Sequence, residues 1–225
     1  MTQQEPSPKR LTRALTAESE STRLQAALYA GTHPGIVDAG LLLERCAVET
    51  DFFVRDTLSW ALTCYDRETT YDRVLLELHS PVAQARSQAL HTLSKLGDKR
   101  AWPSVIGFLQ DADDQIARTA WRAAAALVSE GQEAGLAETL STQFGRGDHD
   151  LQRSLTRALA ALGPAAEPVI ERAKTHAEVR VRAHAIATER LLNDPDEQFG
   201  AAIAEANRIL AVQGAPTLGN LDADR

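Results

Sequence analysis

Arg118-Thr119-Ala120-Trp121-Arg122-Ala123-Ala124-Ala125-Ala126-Leu127-Val128 holds no glycine or proline, and alanine, the strongest helix former, recurs through it. At 3.6 residues per turn, the positions three, seven and ten after Arg118 share one face: Trp121, Ala125 and Val128. The same count from Arg86 reaches Ala89, Leu93 and Leu96, and from Arg55 it reaches Leu58, Leu62 and Tyr65. Outward from this stretch the arginine returns at Arg23, Arg153 and Arg182, so that successive gaps are 32, 31, 32, 35 and 29 residues. A period near thirty is that of stacked helical units, each covering the apolar face of the next. The fifth unit fits better with Gln152 as its origin, because Leu155, Leu159 and Leu162 then complete the face and Arg153 stands one place off. In the last unit Ala185 and Leu192 keep the pattern and Glu189 breaks it, as suits an end repeat with a wet face.

Shorter partner segments lie between these helices. Ser80-Pro81 and Asp194-Pro195 read as a capping side chain before a proline at the first helical position, and Glu197 completes a capping box with Asp194. Asp51, Asp114 and Glu178 each precede an arginine by four residues, a spacing that suits the helix dipole and lets the acid reach the arginine one turn on. Six similar arginines on one edge of a stack are better explained as a hydrogen-bonding ladder (Arg23, Arg55, Arg86, Arg118 and Arg182, with the fifth unit displaced) than as six binding sites.

Residues 96–113, from Leu96-Gly97-Asp98 through Trp102-Pro103 to Asp111-Ala112-Asp113, resemble the junction of HEAT repeats of the short, phycobilisome-lyase-like kind. In that family a Leu-Gly-Asp turn leads to a helix with proline near its start, then to an aspartate-rich turn before the next arginine. The likeness covers most of residues 20–192 and is sharpest in the middle. It implies an all-α fold: an α-solenoid of about six antiparallel helix pairs in a right-handed superhelix, with residues 196–212 as a C-terminal capping helix. It implies no one activity, because such repeats serve scaffolds, adaptors, lyases and nucleic-acid enzymes alike.

Composition agrees with stacked helices: 44% of residues are hydrophobic but only 5% aromatic, so small side chains fill the core. One continuous domain is expected over residues 10–212, between flexible tails at 1–9 and 213–225 that carry Pro6, Pro8, Gly214 and Pro216. The longest apolar run, Ala123 to Val128, is far short of the roughly twenty residues that cross a bilayer, so no membrane partner is expected. No secretory signal opens the chain, and the cytoplasm is the expected location. Cys46 and Cys64 read as filler thiols on separate turns.

Positions one and five after each origin are expected to face a concave groove. They are Leu24 and Leu28, Asp56 and Trp60, Ser87 and His91, Thr119 and Ala123, Arg153 and Arg157, and Ala183 and Ala187, with Arg122 beside the line. Asp56, Trp60, His91, Arg122, Arg153 and Arg157 are the candidate groove for an acidic or amphipathic segment of a protein partner, since tryptophan and arginine anchor interfaces most often. The net charge of −7 argues against a phosphate backbone as the main partner. An alternative is implied by the resemblance: HEAT-like alkylpurine DNA glycosylases combine tryptophans, basic residues and a carboxylate, types that Trp60, Trp121, Arg122, Arg153, Arg157 and Asp56 supply without the signature. A lyase is a third reading, carried by the repeat alone. The six histidines, His33, His79, His91, His149, His176 and His184, form no metal-binding motif, and no cofactor is expected. Asp148, after the turn Gly145-Arg146-Gly147, reads as a helix cap.

Overall fold

The long helices that carry Arg23, Arg55, Arg86 and Arg182 each begin after a tight turn whose carbonyls need donors, and that arginine supplies them. In the computed structural model, which describes residues 7–213, Arg23 Nη1 donates to the carbonyls of Ala17 and Glu18, six and five residues back. Arg55 donates likewise to Glu49 and Thr50, Arg86 to Ser80, and Arg182 to His176 and Ala177. Gln152, the displaced origin, donates from Nε2 to the carbonyl of Gly147, five residues back. A guanidinium near the helix start thus closes the turn that precedes it, each charged donor contributing on the order of 1–3 kcal/mol where the carbonyl is shielded. The acids four residues upstream do other work: Asp51 accepts from the amide of Val54 and caps its helix. Asp113, not Asp114, caps the helix that bears Arg118, accepting from Gln115 and Ile116, while Arg118 bonds the Gln115 amide.

The fold is all-α, a succession of helix pairs, and among the described residues the helices group into two compact units that meet between Ser129 and Glu130 in the chain. The first unit holds α1 (Pro8–Leu15), α2 (Glu20–Thr32), α3 (Ala39–Val48), α4 (Phe52–Thr63), α5 (Arg67–Glu77), α6 (Ala83–Leu96), α7 (Trp102–Val105) and α8 (Asp114–Leu127). Connections of a few residues fold each odd-numbered helix back on the next, and α2, α4, α6 and α8 pack side by side in sequence. The second unit holds α9 (Glu133–Ser141), α10 (His149–Ala161), α11 (Glu167–Ala173), α12 (Val179–Asn193) and α13 (Phe199–Gln213). No helix among the described residues is long and apolar enough to cross a membrane.

The predicted faces are the core. Leu58, Leu62, Ala89, Leu93, Leu96, Trp121, Leu155, Leu159, Leu162 and Ala185 are buried; Tyr65 and Leu192, at the ends of their faces, are half-covered, as are Ala125 and Val128, whose places Ala124 and Leu127 fill. Trp121 donates its indole N–H to the carbonyl of Leu109 at 2.8 Å, which satisfies the one polar atom of a fully buried ring. The Leu-Gly-Asp turn closes α6 with Gly97 at φ +65°, where a side chain would be strained. α13 covers the last pair through Phe199, Ala202, Ile203 and Ala206 packed on Ala183 and Ala187.

Three expectations are corrected at the helix ends. Pro81 precedes α6, whose N-cap is Val82, and Ser80 Oγ instead accepts from the amide of Val82 within the turn. Pro195 lies in the turn between α12 and α13, and Glu197 forms no capping box but grips Arg190 at 2.7 Å. α1 starts at Pro8 and α13 runs to Gln213, so those residues of the expected tails are helical, while residues 1–6 and 214–225 lie outside the described residues.

Candidate interaction site

Asp51 decides where α4 begins, and so places Phe52 and Phe53 in its first turn and Asp56 and Trp60 on successive turns of one face. Asp56 Oδ1 receives Lys95 Nζ at 2.7 Å and meets His91 Nε2 at 3.2 Å, both from α6. Burial alone raises the Asp56 carboxyl, but Lys95 and His91 outweigh it and hold it below the usual carboxylate range. Burial lowers the His91 imidazole, and the bond to Asp56, which pulls the other way, does not overcome it; the Lys95 and Arg122 charges act in the same direction as burial. Trp60 lies over Gly31 of α2, so close that a Cβ on Gly31 would run into its ring, and keeps 37% of its surface exposed.

A cleft of about 470 Å³ crosses α4, α6 and α8. Phe52, Arg55 and Asp56 line it from α4, Gln84, Ser87, Gln88 and His91 from α6, and Ile116, Arg118, Thr119 and Arg122 from α8 with Asp113 at its cap. Of the predicted groove residues, Asp56, His91 and Arg122 come together here. Trp60 stands on the same face of α4 outside the cleft lining. Arg153 and Arg157 line a separate cleft of about 590 Å³ within the second unit, beside His149, Leu191, Pro195 and Phe199. Arg153 pairs with Asp150 at 3.1 Å and both arginines are exposed.

Five of the twelve positions expected to face a groove are buried instead. Ser87 and Thr119 bond each other at 3.0 Å between α6 and α8, Ala123 is enclosed, and Ala183 and Ala187 lie under α13. The reason is size: small side chains at these positions let the neighbouring helix close over them, whereas Asp56, Trp60, His91, Arg153 and Arg157 hold it off.

Two buried polar networks carry no signal in the repeat pattern. Glu49, 1% exposed, follows α3; it takes a paired bond from Arg23 at 2.7 and 2.8 Å, one from Arg45 and one from the Asp51 amide. Burial raises this carboxyl, yet those donors hold it down at about 2. Gln84 of α6 donates to the carbonyls of Cys46 and Glu49, so the turn is tied to the next pair as well. In the second unit His184 is fully buried: its Nδ1 accepts from the Gly145 amide at 3.0 Å, which leaves Nε2–H to donate to the Gln152 carbonyl at 3.0 Å, with Thr156 Oγ1 at 3.1 Å. Burial pushes this imidazole down to about 4 against the weaker pull of the Gln152 carbonyl.

No protein-family model matches the chain, and no curated protein does. Among solved structures, an engineered protein from a structural genomics consortium is similar at 18% identity, with 88% of this chain and 97% of that one covered and a TM-score of 0.43. A designed armadillo repeat protein is similar at 13% identity, with 89% and 99% covered and a TM-score of 0.40. The complex of CpcE and CpcF of phycocyanin lyase from Nostoc sp. PCC7120 is similar at 17% identity, with 93% and 97% covered and a TM-score of 0.38. Likenesses this loose carry no functional reading.

Proposed function

We propose that this helical-repeat protein is an interaction scaffold for acidic or amphipathic segments of a protein partner, with Asp56, Trp60, His91 and Arg122 as the contacts in the first unit and Arg153 and Arg157 as those of a separate cleft in the second. The observation that carries the reading is the polar cleft across α4, α6 and α8, where arginines and a histidine stand beside an exposed phenylalanine, with the half-exposed Trp60 farther along the same face of α4. Aromatic and arginine side chains give the largest interface contributions because they combine apolar area with directed hydrogen bonds. The glycosylase-like alternative loses a member, since Trp121 is fully buried with its N–H engaged, and Asp56 is already held by Lys95 and His91.

Affinity purification from the native host with the wild-type chain and with Arg122→Glu, Arg153→Glu and Arg157→Glu together tests the proposal. Captured partners should be lost from the variant while its far-UV ellipticity is unchanged. Recovery of the same partners by both chains, or excision of a base by the isolated protein, rejects it.

A further inference from the structure

α10 carries His149, Arg153 and Arg157 at intervals of four residues, so that three exposed, donor-bearing side chains stand one above another on one face. This row lines one side of the cleft of about 590 Å³ in the second unit. The end of α12, the turn after it and the start of α13 line the other, through Leu191, Pro195, Gln198 and Phe199.

Folding leaves the row partly unspent. Arg153 gives an Nη2–H to Asp150 at 3.1 Å, an exposed pair of little strength, and a guanidinium has further donors to offer. Arg157 has no hydrogen-bond or ion-pair partner among the described residues. Glu197, the acid that lines the opposite side, is held by Arg190 at 2.7 Å. Asp150 thus cancels Arg153 and Arg190 cancels Glu197, which leaves Arg157 as a net positive charge in the cleft of a chain whose own charge is −7. Such a cleft selects an occupant that is acidic where it meets α10 and apolar where it meets Leu191 and Pro195.

Shape narrows the choice. Two turns of a docked helix, about 10–12 Å across, fill on the order of 1,000 Å³, more than the cleft offers. In an extended strand, side chains two residues apart leave the same side about 6.6 Å from each other, close to the rise of about 6 Å from Arg153 to Arg157. Acids at alternate positions therefore meet both guanidiniums, and the side chain between them turns the other way, toward Leu191 and Pro195. We infer that this cleft docks an extended segment of a protein partner, with two carboxylates at alternate positions on Arg153 and Arg157 and one large apolar side chain between them. This rests on the scaffold reading and deepens it, by naming the occupant of the second unit.

The test titrates the full chain into a fluorescein-labelled peptide with Asp-Leu-Asp at the centre of a glycine and serine background, and follows anisotropy. Parallel probes carry Asp-Asp-Leu, Asn-Leu-Asn or Asp-Ser-Asp at the same place, and a single-stranded DNA oligonucleotide of equal length completes the set. Asp-Leu-Asp should bind best, and raised salt should weaken it. Arg157→Gln should weaken it about tenfold and Arg153→Gln about threefold, since Arg153 already shares its charge with Asp150. Arg208→Gln, exposed on α13 and paired with Glu205 outside the cleft lining, should leave it within twofold. Binding that is indifferent to both Arg153→Gln and Arg157→Gln, or as tight for Asp-Asp-Leu, overturns the inference and leaves the scaffold reading standing. No binding by any peptide overturns it too, and the scaffold reading falls with it only if affinity purification also recovers no partner. An oligonucleotide that binds more tightly than every peptide rejects both.

Discussion

Acidification between pH 6.5 and pH 4 should unlock the second unit before the first, and His184 is the group responsible. The imidazole touches no carboxylate: Gly145, Gln152 and Thr156 use its two nitrogens, and Phe144 and Phe199 stand edge-on at centroid distances of 5.0 and 5.8 Å. Protonation at Nδ1 removes the acceptor for the Gly145 amide and places an uncompensated charge against two rings. The folded form therefore resists protonation down to about 4, whereas the unfolded chain takes the proton near 6.5. The unfolded state binds more protons between those values, so stability rises with pH there: it is complete above 6.5 and falls by up to about 1.4 kcal/mol per pH unit as the pH drops, about 3 kcal/mol in all.

All three tryptophans, Trp60, Trp102 and Trp121, lie in the first unit, so their fluorescence is a poor witness. Amide exchange in moderate urea, read peptide by peptide and corrected for intrinsic rates, reports α10 and α12 directly. Wild-type protection there should decline from pH 6.5 to 5, above most carboxylate titration. His184→Gln should be less stable at pH 8, by roughly 1–3 kcal/mol for the lost buried partners, but should lack the added slope. Equal slopes in the two proteins across α10 and α12 would refute the reasoning, as would titration of the His184 proton resonances near pH 6.5.

In the first unit, Glu49→Gln should cost about 3–5 kcal/mol in urea denaturation, because Arg23 and Arg45 lose their shared counter-charge. Since the Glu49 carboxyl sits at about 2, its stabilisation is full above about 4.5 and is lost as the pH falls toward 2, a window below that of His184. Gly31→Ala should either destabilise the first unit by about 1–3 kcal/mol or turn Trp60 outward, seen as a lower midpoint or a red-shifted emission. Arg182→Met removes donors to the carbonyls of His176 and Ala177 and should cost about 1 kcal/mol, with faster amide exchange confined to the start of α12.

The repeat period made the helices and their buried faces legible, because both follow from local spacing: Trp121, Leu155 and Leu159 are where a count from the origin puts them. Caps such as Asp148, which accepts from the Leu151 amide, were legible for the same reason. The outward positions were legible only in part. A single helix tells which way a side chain leaves its axis, but the neighbour decides whether water reaches it. Side-chain size was the unused signal: Ser87, Thr119, Ala123, Ala183 and Ala187 are small and covered, whereas Leu28, Trp60, Arg153 and Arg157 are large and exposed. Glu49 and His184 were illegible because most of their partners are backbone groups or lie 26 to 39 residues away, Arg45 beside Glu49 being the exception, and neither repeats along the chain.

Such lone polar groups answer a difficulty that alanine-rich faces create. Smooth faces of small side chains pack nearly as well after a shift of one turn, whereas a buried hydroxyl or imidazole moved by a turn loses its partner outright. Thr156 Oγ1 and Thr188 Oγ1 meet at 2.8 Å in the core of the second unit and hold α10 against α12 at one register. Thr156→Val or Thr188→Val alone leaves the other hydroxyl buried and should cost about 1–3 kcal/mol, but the double replacement keeps the volume, removes both polar atoms and should cost less than the sum. A cycle on urea midpoints should therefore give a coupling of at least about 1 kcal/mol. The double variant should also exchange amides of α10 and α12 faster than its stability predicts, because the faces are then free to slide; additive costs with unchanged exchange would show that the hydroxyl pair sets no register.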